Sequence, residues 1–199
     1  MRACLAYTIL LPLMVSLLTM ALPPCCSAFE RYNRVTKYDS YFKKYAKRYF
    51  GPGFNWHEFK AQAISESGLD PEAQSAVGAQ GIMQIMPKTF AEIKYKNPSI
   101  RGSMRQPKWS IAAGISYDRS IWNIFKAKRP LQDRKDFMFG AYNAGKGNII
   151  KAQKKAQSQG LDPNRWTSIE KSLPRVTGSH SRETINYVTK IKQIRKVLK

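Results

Sequence analysis

Cysteine is nearly absent from the sequence and confined to one end: Cys4, Cys25 and Cys26 are the three in 199 residues. Without the first 28 residues the chain has no thiol, which excludes a disulfide framework, a CxxC redox pair and a cysteine-based zinc site. Histidine is scarcer still. His57 and His180 are too isolated for a metal centre and read as surface or capping residues, so neither a metal nor a cofactor is expected. Acidic residues are few, 13 Asp+Glu against 34 Lys+Arg, giving a net charge of +21. Alternating strand patterns are rare, no repeat of solenoid period is visible, and a 43% hydrophobic content excludes a disordered tail. A chain of this length forms one ordinary domain with room for appendages, and buries a core without cross-links.

What is present begins with an uncharged run from Ala3 to Phe29, apolar from Leu5 to Leu22 and preceded by Arg2. Pro23 and Pro24 break it, and Cys26-Ser27-Ala28 puts small residues at the −3 and −1 positions of a cut before Phe29. This is the layout of a secretory signal peptide over residues 1–28. A retained N-terminal anchor is the alternative, since about 18 apolar residues nearly span a bilayer. Arg31, Arg34 and Lys37 follow the apolar run, and such charges suit neither reading well. Lipidation at Cys25 or Cys26 fits poorly behind Pro24. The expected location is outside the cytoplasm, in the periplasm or cell envelope. A cut after Ala28 removes only Arg2 from the charge count.

The remainder is dominated by helix punctuation. Tyr38, Tyr41, Phe42, Tyr45 and Tyr49 recur at helical spacing, and Gly51-Pro52-Gly53 ends that helix. Asn55 reads as an N-cap with Glu58 completing a capping box, and Gly68 closes the helix after Ser67. Ser75 to Ile85 reads as a turn or short extended segment. Further helices are expected from Pro87, over Pro107–Ala127, Asp133–Asn143 and Lys146–Ser158, and from Ser181 to the C-terminus. The last carries Ile185, Val188, Ile191, Ile194 and Leu198 on one side. The prediction is a mostly α chain: a helical extension over residues 29–53, then a single domain over 54–199 with at most a short extended segment near its site.

Among the few carboxylates, Glu66 stands out. It ends a helix, where the negative end of the macrodipole disfavours its ionised form by about 0.3–1 kcal/mol, and burial beneath Gly81-Ile82-Met83 would raise its pKa further. A carboxyl kept protonated near neutrality suits a general acid that protonates a glycosidic oxygen. Taken alone, however, Glu66 is far more readily read as a solvated charge at a helix end, and its position by itself does not justify a catalytic role.

The surrounding residues weigh against that plainer reading. Ala63-Ile64-Ser65-Glu66-Ser67-Gly68-Leu69-Asp70-Pro71 is followed by Gly78-Ala79-Gln80-Gly81-Ile82-Met83-Gln84-Ile85-Met86-Pro87, then by Ala141-Tyr142-Asn143-Ala144-Gly145 and Glu183-Thr184-Ile185-Asn186-Tyr187-Val188. Together, in this order, these four blocks resemble the SLT-type lytic transglycosylases, bacterial enzymes with a lysozyme-like fold that cleave peptidoglycan. The second half, through Trp166 and Pro174, is similar to the catalytic domains of membrane-associated members.

The resemblance implies a lysozyme-like domain with Glu66 as its single catalytic acid/base. It implies that Ser67 orients the site, that Met83 and Gln84 line the cleft and contact the N-acetyl sugar, that Tyr142 and Tyr187 bring hydroxyls towards Glu66 or substrate, and that Asn143 holds the turn. Without it, Met83 reads as core filler and the two tyrosines as buried aromatics with a satisfied hydroxyl. Glu183, near a helix start, reads as structural. The implied reaction cleaves the MurNAc–GlcNAc bond and leaves 1,6-anhydro-MurNAc. A hydrolytic muramidase and a non-catalytic peptidoglycan-binding or assembly protein are the alternatives.

Two other readings fail. Gly140 to Gly147 nearly matches a phosphate-binding loop, but Gly147 stands where a hydroxyl would hold Mg²⁺ and no βαβ alternation surrounds it. The basic charge is spread along the chain without a nucleic-acid motif, and an anionic cell envelope accounts for it after export. The expected partner is the peptidoglycan glycan strand, bound by a monomer. Anionic membrane or wall polymers, and a secretion or cell-wall assembly complex, are further candidates, and nucleic acid is not.

Overall fold

A computed structural model describes residues 28–199, so the predicted export segment, apart from Ala28, lies outside the described residues. After a 3-10 turn at Arg31–Arg34 come α1 (Asp39–Phe50), α2 (His57–Ser67), α3 (Pro87–Lys96), α4 (Pro107–Trp122) and α5 (Leu131–Ala144). These are followed by α6 (Lys146–Ser158), α7 (Trp166–Ser172), α8 (Pro174–Thr177) and α9 (His180–Val197). Among the described residues there is no strand, only isolated bridges from Gln74 to Gln80 and from Gln80 to Ile85. The short extended segment expected near the site reduces to those two bridges.

The packing is centred on α2. Every residue from Glu58 to Ile64 is buried, so this helix is covered all round and its polar side chains need partners inside the protein. Lys135 binds Glu58 at 2.7 Å, with Arg195 at 3.7 Å. Lys60 binds Asp39 at 2.8 Å and donates to the Val35 carbonyl. Gln62 donates to Asp118. Around this axis α9 packs on α2 and α5, and α4 packs on α5. The aromatic stripe of α1 lies against α4, with Phe42, Tyr45 and Ala46 buried.

The start of α2 differs from the expected capping box. Asn55 Oδ1 does accept from the His57 N–H at 3.0 Å, but Glu58 is drawn into the buried pair with Lys135 instead of reaching back. Tertiary charge pairing here outweighs local capping. The helices α7 and α8 have no counterpart among the expected elements: seven and four residues are too short for a periodic signal. No helix of the described residues is long and apolar enough to cross a membrane.

Candidate active site

The last turn of α2 carries Glu66 to the floor of a cleft of about 620 Å³. The helix stops there because Gly68, at φ 65, adopts the left-handed conformation that closes a C-terminus, its N–H donating to the Ile64 carbonyl. A Cβ at that position would also come within 3.0 Å of the Tyr32 hydroxyl. Tyr187 of α9 donates its hydroxyl to Glu66 Oε1 at 2.5 Å. Burial pushes the Glu66 carboxyl up to about 7 from its ordinary 4.5, with Glu183 adding to the rise, while the Tyr187 hydrogen bond and Lys190 pull the other way. Near neutrality this group therefore exists in both protonation states, as an acid that must also act as a base requires. Burial holds the Tyr142 and Tyr187 phenols well above their ordinary value, so both serve as neutral donors.

The loop after α2 forms one wall. Ser67 donates to the Ile82 carbonyl at 2.9 Å and so ties the helix end to this loop. Tyr142, in the last turn of α5, donates to the Met83 carbonyl at 2.8 Å. Gln84 lines the cleft at φ 43, a left-handed conformation uncommon for a residue with a side chain. It is held there by its own amide, which donates to the Gly81 and Ala73 carbonyls. Met83 is placed differently from the expectation. Its side chain is fully buried, lying over Gly114 of α4 so closely that a Cβ there would overlap it. Met83 therefore offers the site its carbonyl, and its side chain fills the core.

The opposite wall is one face of α9. Glu183, Asn186, Tyr187 and Lys190 all line the cleft, at the spacing of three and four that sets residues on one helical face. Asn143 accepts from the Thr184 hydroxyl at 2.7 Å and reaches towards Glu183, joining the end of α5 to α9. Lys190 donates to the Ser65 carbonyl. Of the residues named from sequence, Glu66, Gln84, Tyr142, Asn143 and Tyr187 meet at the cleft, while Ser67 and the Met83 side chain sit behind it. The cleft also holds Lys190, Asn186 and Ser75, which sequence reasoning missed. The first two share the face of Tyr187 and are legible from helical spacing; Ser75 has no such signal. Glu183, read as structural from sequence, also faces the cleft and supplies a second carboxylate there. Among the described residues no acidic, histidine or cysteine cluster has the form of a metal site.

The Tyr187 hydrogen bond favours ionised Glu66, so removing it raises the Glu66 pKa. Tyr187→Phe is expected to move the alkaline limb of the pH–rate profile up by roughly one unit, the equivalent of a charge-assisted hydrogen bond of about 1.5 kcal/mol. A profile of kcat/KM from pH 5 to 9 measures this, and a limb that moves down contradicts it.

Glu66, at the end of its buried helix, and Tyr142 both lie within residues 40–164, which a family model described as the Transglycosylase SLT domain matches. The chain belongs to this family. The membrane-bound lytic murein transglycosylase F of Shewanella pealeana is 33% identical over 142 residues, covering 71% of this chain and 27% of the relative. The protein of the same name from Pseudomonas fluorescens is 32% identical over 144 residues, covering 72% and 28%. Among solved structures, the 70 kDa soluble lytic transglycosylase of Escherichia coli superimposes with a TM-score of 0.61 at 28% identity, covering 81% of this chain and 24% of that one. Its complex with bulgecin A gives 0.62 at 27%, covering 85% and 25%. The all-helical, lysozyme-like SLT fold is therefore that of this chain. It spans about a quarter of the length of the proteins it matches.

Proposed function

We propose that this chain is a peptidoglycan lytic transglycosylase acting in the bacterial cell envelope, with Glu66 as its acid and base. The observation that carries the reading is the half-buried Glu66 carboxyl, pushed up to about 7 and held by Tyr187 at the floor of an open cleft. Protonated Glu66 donates to the oxygen between MurNAc and GlcNAc. The C1–O bond breaks, its electrons stay on the leaving oxygen, and the substrate's N-acetyl carbonyl shields the positive charge at C1. Ionised Glu66 then takes the proton of the MurNAc 6-hydroxyl, and that oxygen closes on C1 to give the 1,6-anhydro product. Glu66 ends the cycle protonated, as it began.

The walls suit such a substrate. Val77 and Met86 are apolar, exposed by 77% and 42%, and stand at the cleft, where they would meet sugar faces and N-acetyl methyl groups. Gln84, Asn143 and Asn186 supply polar contacts. Basic residues along the whole chain would hold the protein against anionic wall polymers and acidic lipid.

Glu183 favours a second reading, hydrolysis, because a second carboxylate in the cleft is what an inverting muramidase uses to activate water. Digestion of purified sacculi separates the two. Mass spectrometry is expected to show fragments one water lighter than hydrolytic products. Reducing ends would make the protein a muramidase, and intact sacculi would leave a binding role.

A further inference from the structure

Five acidic side chains, Asp39, Glu58, Glu72, Asp133 and Asp136, lie within 4.0 Å of a Lys or Arg. Among the described residues Asp118 has no such partner, although Lys and Arg are abundant in the chain. Placed well inside α4, it is completely buried. Its hydrogen-bond partner is the Gln62 amide, which donates to Oδ1 at 3.3 Å. The remaining polar atom of each group, Asp118 Oδ2 and Gln62 Oε1, is an oxygen buried without a donor. With Asp118 ionised both are acceptors, and a buried charge facing a second unsatisfied acceptor is strongly disfavoured. One proton on Oδ2 resolves this, because it supplies the donor that Gln62 Oε1 lacks. A carboxylic acid and a primary amide then present complementary edges, each giving and accepting one hydrogen bond.

The location gives this pair a consequence. Gln62 precedes Glu66 by four residues, one helical turn, and shares its face of α2. Tyr187, Lys190 and Glu183 from α9 act on Glu66, and Glu66 in turn is felt by Tyr142 of α5 and Asp118 of α4. We propose that Gln62 and Asp118 form a neutral, doubly hydrogen-bonded amide–acid pair that clamps α2 to α4 one turn behind Glu66, making Asp118 a positioning residue for the acid. Neutrality is what the reaction needs there. An ionised Asp118 would oppose ionisation of Glu66 and hinder its return stroke as a base. This inference rests on the reading of Glu66 given above.

The pair is read directly by infrared difference spectroscopy of wild type against Asp118→Asn at pH 7, which needs no substrate. The protonated share of Glu66 is common to both proteins and cancels, so the difference spectrum is expected to carry a further protonated-acid carbonyl stretch on the wild-type side, which the variant lacks. The asparagine side chain preserves both hydrogen bonds, so D118N is expected to keep the wild-type Tm and pH–rate profile on soluble glycan strands. Asp118→Leu breaks the pair and is expected to lower kcat tenfold or more with KM unchanged; should it not fold, Gln62→Met removes the pair from the other side. Absence of the acid band, or a D118N profile displaced to lower pH, overturns the neutral pair. Wild-type kcat in D118L or Q62M overturns the positioning role. A wild type that releases nothing from sacculi defeats the transglycosylase reading, while the band still reports on the pair.

Discussion

Glu66→Gln is expected to lower release of glycan fragments from sacculi by at least about 10³-fold while making the folded chain more stable at pH 8. The loss follows from two proton transfers assigned to one carboxyl, each of which general acid–base catalysis accelerates by roughly 10²–10⁴. An amide of the same shape still accepts the Tyr187 hydroxyl, so the cleft keeps its geometry and loses only the proton. The gain follows from burial. Glu66 titrates near 7 in the folded chain against 4.5 as a free side chain. Below pH 4.5 it is protonated in both states and adds nothing to a pH dependence. Between 4.5 and 7 the unfolded chain releases the proton and the folded chain retains it, so wild-type stability falls as pH rises. Above 7 that cost is complete, on the order of 2 kcal/mol for a half-buried group. Urea unfolding at pH 4, 6 and 8 is expected to show the two proteins converging at the acid end and the glutamine variant ahead at the alkaline end. Retained activity removes Glu66 from the mechanism; a variant less stable at pH 8 removes the burial argument.

The parts of the molecule legible in the sequence are those written locally. Gly68 after Ser67 marks the end of α2, and the apolar spacing of Val188, Ile191 and Ile194 marks α9. Glu66 is legible because its position at a helix end already bears on its protonation, and the motif blocks then bring Tyr142 and Tyr187 to it. What is not legible depends on which element faces which. Met83 lies between a loop and α4, and only the close approach allowed by Gly114 decides that its side chain turns into the core. The pairing of Gln62 with Asp118 joins residues 56 apart in sequence. Either residue alone looks like an ordinary exposed polar position on an amphipathic helix. Glu58 shows the converse: a local capping signal is present, and the partly buried Lys135 and Arg195 override it.

Gly140→Ala is expected to lower stability by about 3 kcal/mol or more. Helix propensity alone predicts the opposite sign, since alanine is favoured over glycine mid-helix by about 1 kcal/mol. Overlap decides it. A Cβ on residue 140 would lie 2.3 Å from Cη2 of Trp166 and 2.7 Å from Cζ3, well inside contact distance. Trp166 has little freedom to retreat. It is 2% exposed, packs edge-on against Phe137 at 5.8 Å, and its backbone N–H is fixed by Asp133 at 2.7 Å. Inserting a methyl into such a core costs about 1–3 kcal/mol even where neighbours relax. The overlapping atoms belong to the six-membered ring of the indole, so Trp166→Phe trims them. The double variant is expected to be more stable than the sum of the two single losses, a coupling that thermal unfolding of all four proteins measures. The same four proteins test whether this contact reaches the site. Tyr142 and Asn143 follow Gly140 within one turn of α5, and both meet the cleft. A shift of α5 away from Trp166 draws the Tyr142 hydroxyl from the Met83 carbonyl, so the glycine variant is expected to lose turnover as well as stability and to regain part of both when Trp166 is trimmed. Additive losses would mean that the glycine serves some purpose other than making room for the indole.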